Sequence, residues 1–481
     1  MRKPCRKTYS HIPTMRHSML LLVGWLLACM GVAEGSAKEA MVKFPGGKCV
    51  MYRLYLTDKR GTDYTLEHPS EFLSEKALRR RQRQGITPDS TDLPVSNAYL
   101  RQIEAAGLEV VSRSRWNNTV VAKARSQKAF RAVASMPFVR KSVKVFASPD
   151  SINKAIRSHY RTDFNSWDTL SANEYGTTEQ QIKMLNGHRL HAMGYRGRGM
   201  TIAVLDGGFM NADVIPALKT ISMMGNRDFV RPASADVFKE MDHGTKVLST
   251  MAANVPNLYV GTATQASYWL LRCEDNSSEN LVEEDYWAAA AEFADSAGVD
   301  IINSSLGFHA FDDKEADHSY ADLDGERTLI SHTASMLADK GIILVNSAGN
   351  EGMGTWKKIN FPADARDIIT VGAISPNGKN AAFSAIGPTA DRRIKPDVMA
   401  LGSPTAVITG RGTISRDMGT SFATPLITGL VACLWQALPQ KTAREIIQAV
   451  IQSGDKQAAP DDIYGHGVPD FVKAYQLLKG K

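Results

Sequence analysis

The chain has 481 residues, enough for two or three domains, and its 43% hydrophobic and 8% aromatic content excludes a mainly disordered protein. Its formal net charge of +7 is unevenly spread: residues 1–37 carry about +4, residues 38–165 about +12 and the remainder about −9, so overall basicity is no argument for nucleic-acid binding. The five cysteines, Cys5, Cys29, Cys49, Cys273 and Cys433, show no metal-type spacing and imply neither a disulfide framework nor a zinc site.

The N-terminus is basic over MRKPCRKTYSHIPTMRHS and then apolar over MLLLVGWLLACMGVA. An apolar run of about fifteen residues is too short to cross a membrane comfortably, and the pattern over residues 1–37 is that of a secretory signal peptide. Gly31 and Ala33, or Gly35 and Ala37, suit cleavage just beyond. LLAC, residues 26–29, also resembles a lipoprotein processing site, which would make Cys29 a lipidated N-terminus, although Leu27 fits that pattern poorly. A third reading, a cytosolic protein with an apolar N-terminal helix, is disfavoured because no polar face interrupts the run.

Residues 38–150 read as a small α+β domain. VMYRLYLTD and TVVAKA have strand character, PSEFLSEKALRRRQRQG and SNAYLRQIEAAG helical character, and QKAFRAVASMP predicts a helix leading into VRKSVKVF. No catalytic constellation occurs in it. RRRQR, residues 79–83, is expected to be a solvated helix face, since no aromatic residues interleave with the basic ones as a nucleic-acid patch would have them. Residues 151–174 lose periodicity and are expected to be a linker.

From residue 175 to 481 apolar runs alternate with helical segments: MTIAVLD, ASYWLLRC, VDIINSSLG, GIILVNSAG and DIITVGAI. Near-continuous hydrophobic strands between helices predict an α/β fold with a mainly parallel sheet covered on both faces. Ligands of such sheets bind beyond the carboxyl ends of the strands. GYRGRG, residues 194–199, precedes its strand, whereas a phosphate-cradling loop follows one, and is expected to be a turn. Sequons begin at Asn117, Asn276 and Asn303, the last inside a predicted core strand where no glycan fits.

Four stretches carry side chains for chemistry. MTIAVLDGG ends its strand in Asp206, DHGTKVLSTMAA opens a helical run with His243, VNSAGNEG closes a strand near Asn350, and MGTSFATP places Ser421 where an apolar helix begins. Alone, each reads as a cap or turn residue. Together they supply what acyl transfer needs. A serine hydroxyl is a poor nucleophile near neutral pH, so an imidazole must take its proton and a carboxylate must hold that imidazole in the right tautomer. Donors must await the oxyanion, here the Asn350 amide and the Ser421 backbone N–H. The assignment is Ser421 as nucleophile, His243 as general base and acid, Asp206 as orienter and Asn350 as oxyanion donor.

With IAVLDGG, HGTKV, AGNEG and GTSFATP in that order, the sequence resembles the subtilisin-like serine endopeptidases (subtilases) over residues 175–475. The chain order differs from that of chymotrypsin-like enzymes, and neither a G-x-S-x-G elbow nor an H-E-x-x-H zinc motif is present. The resemblance implies that Ser305, Leu306 and Gly307 pair with the substrate backbone and line its S1 pocket, with Ala348 and Gly349 in the pocket wall. Lys246 stands where a second histidine is frequent, and Gly207–Gly208–Phe209 replaces a frequent Thr-Gly or Ser-Gly pair.

By the same resemblance residues 38–150 are a propeptide, which would assist folding, block the site as an intramolecular inhibitor and dock its basic surface on the acidic catalytic domain. No cofactor is required for catalysis, no metal ligand is assigned, and structural calcium is compatible with the family without identifiable ligands. The expected partners are polypeptide substrates, not nucleic acid, with a membrane only if Cys29 is lipidated. The expected location is extracytoplasmic, secreted or in the cell envelope. Two alternatives use the same fold: a catalytically silent peptide-binding protein and a surface lipoprotein.

Overall fold

The computed structural model describes residues 39–44, 47–155, 170–232 and 236–480. The expected signal peptide, Cys5, the candidate lipidation residue Cys29 and most of the expected linker lie outside them.

Strand β1 (Glu39–Lys43) pairs antiparallel with β6 (Ser151–Ala155), so the first five residues of the expected linker form backbone pairs instead. Between them β2 (Val50–Leu56), β3 (Glu109–Ser114), β4 (Thr119–Ala124) and β5 (Val139–Ala147) form an antiparallel sheet in the order β3-β4-β2-β5. Period-2 alternation gives this sheet two apolar faces. On one, Leu54, Leu56, Val120 and Ala122 pack with Leu100 and Ile103 of helix α2 (Asn97–Ala105) and Val133 of α3 (Gln127–Ala134). On the other, Met51, Val121 and Val145 share a core with Tyr286, Trp287 and Ala290 of a helix in the large sheet region. Burying the second face on that helix joins the small sheet to the rest of the molecule.

Helix α1 (Glu75–Arg83) starts where the Ser74 hydroxyl accepts the Ala77 amide at 3.2 Å. Its RRRQR stretch is not a solvated face: Arg80 and Arg81 are each 1% exposed. Their guanidiniums reach carboxylates of the neighbouring helix, a partner that no local pattern in the arginine run discloses.

The large region opens with two short helices, α4 (Glu179–Lys183) and α5 (Gly187–Ala192). The GYRGRG stretch that follows is a turn, and its cradle of amides is filled from within: Gln436 Oε1 accepts from the N–H groups of Arg196, Gly197 and Arg198 at 2.7–3.0 Å. Next come β7 (Thr201–Asp206), β8 (Ser222–Asp228) and helix α6 (His243–Ala252). A two-residue hairpin, β9 (Asn254–Val255) with β10 (Tyr259–Val260), precedes β11 (Ser267–Arg272), α7 (Val282–Ala297) and β12 (Ile301–Ser304). Helix α8 (Leu329–Met336), β13 (Ile343–Ser347), β14 (Ile369–Ile374) and β15 (Val398–Leu401) follow.

Seven of these strands form one parallel sheet in the order β15-β14-β13-β12-β7-β11-β8. The five expected strands are its interior. The two edges were not foreseen, because β8 has few apolar residues and β15 is only four residues long.

The connection reverses direction at β7, whose neighbours are β11 on one side and β12 on the other. A crevice therefore opens at the carboxyl ends of β7, β11 and β12. After the hairpin β16 (Thr405–Ile408) and β17 (Ile414–Asp417), helix α9 (Thr420–Ala437) runs beneath that end of the sheet, buried from Thr420 to Trp435. Helices α10 (Ala443–Gln452) and α11 (Phe471–Lys479) complete the layer. Among the described residues no helix is long and apolar enough to cross a membrane.

Candidate active site

Every motif side chain sits where an element begins or ends. Asp206 is the last residue of β7 and fully buried, and His243 is the first residue of α6. The imidazole Nδ1 lies 2.9 and 3.0 Å from the two carboxylate oxygens of Asp206, which fixes the ring orientation and leaves Nε2 for proton exchange. Burial would push this imidazole down, but the charge and hydrogen bond of Asp206 outweigh it and hold His243 up at about 9. Glu274 adds to the rise and Lys246 opposes it. Lys246 itself bridges Asp417 on β17 at 3.0 Å and Asp242 at 3.5 Å, so the lysine in place of a histidine ties α6 to the hairpin.

Ser421 is the second residue of α9, 7% exposed, and its neighbour Phe422 packs its ring 5.6 Å from that of His243. Its hydroxyl donates to the Ser305 carbonyl at 3.2 Å, while the Ser305 hydroxyl donates to the Ser421 carbonyl at 2.9 Å. Pro425 lies four residues beyond Ser421 and has no N–H to offer that carbonyl, which is why it can accept from Ser305. As a first-turn residue, Ser421 has a backbone N–H without an intrahelical acceptor, at the positive end of the helix.

Asn350 follows β13. Its side-chain oxygen accepts from the Thr420 amide at 2.9 Å and the Thr420 hydroxyl at 3.1 Å, and the same hydroxyl accepts from Gly349 N–H at 3.2 Å. Threonine thus holds the carbonyl end of the amide and leaves its NH2 end for another acceptor. Ser305, Leu306 and Gly307 continue beyond β12, and Ala348 and Gly349 beyond β13. The Leu306 carbonyl accepts from Asn346 Nδ2 at 3.3 Å and Ser347 Oγ at 3.4 Å, tying the two segments side by side.

Two further residues belong to this neighbourhood. Thr420, inside GTSFATP, has no role assigned from the sequence. Glu274, just past β11, occupies space that a side chain at 207 would need: a Cβ there would lie 2.7 Å from Glu274 Oε2. The Gly207 departure therefore makes room for a second, half-buried carboxyl beside the Asp206–His243 pair. Burial, then the nearby Asp206 charge, push Glu274 up to about 7. The strand-end rule that singled out Asp206 also applies to Glu274. Among the described residues no group of acidic, histidine or cysteine side chains is arranged to hold a metal ion.

The small sheet meets the large region through buried charge. Arg53 places its guanidinium 2.7 Å from Asp285 and 3.3 Å from Glu284. Asp295 receives Arg80, Arg81 at 2.8 Å and Arg115 at 2.6 Å. Glu292 accepts the backbone N–H groups of Arg115 at 2.8 Å and Trp116 at 3.1 Å. All four acceptors lie on α7.

Residues 197–467 match the family model described as the subtilase family, and residues 51–162 match the peptidase S8 propeptide domain of Bacteroidota. The chain is 26% identical over 309 residues to subtilisin NAT of Bacillus subtilis subsp. natto, covering 63% of this chain and 73% of that protein. It is 28% identical over 298 residues to the thermostable alkaline protease of Halalkalibacterium halodurans, covering 61% and 73%. Against the subtilisin-like protease SBT6.1 of Arabidopsis thaliana it is 27% identical over 318 residues, 62% of this chain and 28% of that one. Since the family model spans more than half of it, the chain belongs to the subtilase family and is a serine-type endopeptidase with a propeptide in front.

Proposed function

We propose that the protein cuts polypeptides through an acyl-enzyme on Ser421. His243 Nε2 takes the Ser421 proton as the hydroxyl attacks the scissile carbonyl, and Asp206 stabilises the imidazolium. The oxyanion is received by Asn350 Nδ2 and the Ser421 N–H. The leaving amine takes the proton from His243, and water, activated by the same imidazole, releases the acyl group. Side chains of this chain and water carry each of these steps, and none calls on a cofactor. The observation that carries the reading is the Nδ1 contact of His243 with both oxygens of buried Asp206, at the mouth of the crevice that also holds Ser421.

Ser305–Gly307 and Ala348–Gly349 form the walls of S1, the pocket for P1, the side chain preceding the cut bond. The prosegment, residues 38–150, aids folding and keeps the enzyme latent until it is removed. Its docking through four arginines on an acidic helix supports that role. Secretion through the N-terminal signal is the proposed route, and lipidation of Cys29 the variant that would tether the enzyme to a membrane. Labelling with a fluorophosphonate tests the chemistry. The processed protein should be modified and Ser421→Ala should not, whereas an unlabelled processed protein would return the chain to a silent binding role.

A further inference from the structure

The turn that follows Asp206 begins with two glycines, Gly207 and Gly208, which have no side chain to brace it. Its first N–H bears on the site: Gly207 donates at 2.8 Å to Asp206 Oδ1, the oxygen that lies 2.9 Å from His243 Nδ1. Its second residue meets the helix that carries the histidine. The Gly208 carbonyl accepts from Gly244 N–H at 3.0 Å, and a Cβ on Gly208 would lie 2.6 Å from Glu240 Cβ, on the chain entering α6. A slack turn would therefore move the carboxylate and the imidazole relative to each other.

Arg272, outside the four motifs, supplies the missing brace. It ends β11 in register with Asp206 of β7 on one side and Asp228 of β8 on the other, so the three side chains leave the same face of the sheet at its carboxyl end. The residue is 1% exposed. Its Nε donates to the Gly207 carbonyl at 2.9 Å, and its Nη1 to the two oxygens of Asp228 at 3.0 and 3.3 Å. Nη2 lies 3.5 Å from Glu240 and 3.6 Å from Asp275. Burial works against the charge of Arg272, and Asp228, Glu240 and Asp275 outweigh it. One planar fork thus joins the turn after Asp206, the end of β8, the lead-in to His243 and the segment after β11. Asn276 Nδ2 adds a longer bond to the Gly207 carbonyl, at 3.3 Å. An ion pair with Asp228 alone would satisfy the charge, and it does not need Nε aimed at a backbone carbonyl next to Asp206.

Resting on the peptidase reading above, we propose that Arg272 is a positioning residue for the reaction: by holding Gly207 and Glu240 it sets the Asp206 carboxylate against the His243 imidazole. It touches neither the substrate nor the reacting atoms and acts through Asp206. Displacing a reacting group by about 1 Å can cost about a hundredfold in rate. A lysine can pair with Asp228 as a point charge but has no fork to hold Gly207 and Asp228 together.

The test compares the processed enzyme with its Arg272→Lys variant, active sites being counted by fluorophosphonate labelling so that kcat refers to competent molecules alone. The variant should lose about fivefold or more in kcat per labelled site, with KM within about twofold of wild type. In the labelled proteins, which cannot digest themselves, the proton between His243 Nδ1 and Asp206 should give a proton NMR line far downfield of the amides. That line should be shifted or broadened in the variant, a change that a smaller folded fraction would not produce. If Arg272→Lys does not fold, Arg272→Met combined with Asp228→Asn, which removes both buried charges together, is read in the same way. A smaller loss of kcat per site, a loss carried by KM, or an unmoved line would overturn the role of Arg272 while leaving the nucleophile intact. Wild type that is not labelled would instead overturn the peptidase reading, and this inference with it.

Discussion

Ser305 and Ser421 exchange hydrogen bonds, each hydroxyl donating to the other's carbonyl, at 2.9 and 3.2 Å. The exchange welds the end of β12 to the first turn of α9 and holds the proposed nucleophile against the segment proposed to pair with substrate. Ser305→Ala leaves the Ser421 carbonyl without its donor, and Pro425 cannot supply one. We expect a loss of about 1–3 kcal/mol in unfolding free energy, the usual cost of a buried unsatisfied group. Denaturant unfolding of this variant against wild type, both in the inactive Ser421→Ala background to prevent self-digestion, measures it.

Thr420 holds Asn350 by its oxygen through two bonds. Thr420→Val keeps the backbone N–H bond and deletes the hydroxyl. It should lower kcat by about ten- to a hundredfold with little change in KM, less than the roughly 10²–10³ expected for Asn350→Ala. The second figure is carried over from work on a subtilisin and does not come from this geometry. A Thr420→Val effect confined to KM would mean that the hydroxyl acts on substrate binding instead.

The imidazole must be neutral to act as base, and His243 is held at about 9. Peptidase activity should therefore climb with pH well past 6.5 and level off on the alkaline side. Glu274, at about 7, becomes an anion within that climb, and an anion nearby favours the imidazolium. Glu274→Gln should move the rising limb of the kcat/KM profile to lower pH. An unmoved limb would show that Glu274 does not act on the imidazole.

The same shift carries a stability consequence. Because the folded-state value of His243 is raised, the Asp206–His243 attraction contributes in full below the unfolded value of 6.5 and is lost as pH rises through about 9. A His243→Ala variant should lie furthest below wild type in stability under pH 6.5, with the gap narrowing towards pH 9. Melting curves taken across that window decide it, and a gap independent of pH would contradict the assignment.

Asp295 is fully buried and meets three arginines of the prosegment. Asp295→Ala strands those guanidiniums, and breaking a buried pair from one side typically costs about 3–5 kcal/mol. In the unprocessed chain we expect the prosegment to melt separately and earlier than the large sheet, where wild type melts as one unit. Coincident transitions in the variant would show that apolar contact alone holds the two together.

The sheet interior was legible because a doubly covered parallel strand is buried along its whole length and so mostly apolar, as β7 is, with all six residues buried and Ile202–Leu205 apolar. The four candidate side chains could be singled out because strand ends and helix starts are marked by abrupt changes in composition, and their roles remain the proposal made above. β8 escaped because this edge strand buries little, and β15, though buried, because its four apolar residues follow a proline-interrupted stretch without a longer apolar run to mark it. Arg80 and Arg81 were misjudged for a different reason: their burial depends on Asp295, some 215 positions away, and charge pairing across such a distance leaves no trace in local pattern.

The arginines on Asp295 also bear on inheritance. Losing the one carboxylate strands three partners, while losing one arginine still leaves Asp295 two, so the acid is the member of the set that cannot change alone. A prosegment borrowed from a relative that lacks Arg80, Arg81 and Arg115 would be a poor guardian for this enzyme, however similar its fold. The enzyme keeps, in a helix that does no chemistry, the imprint of a segment it is made to discard.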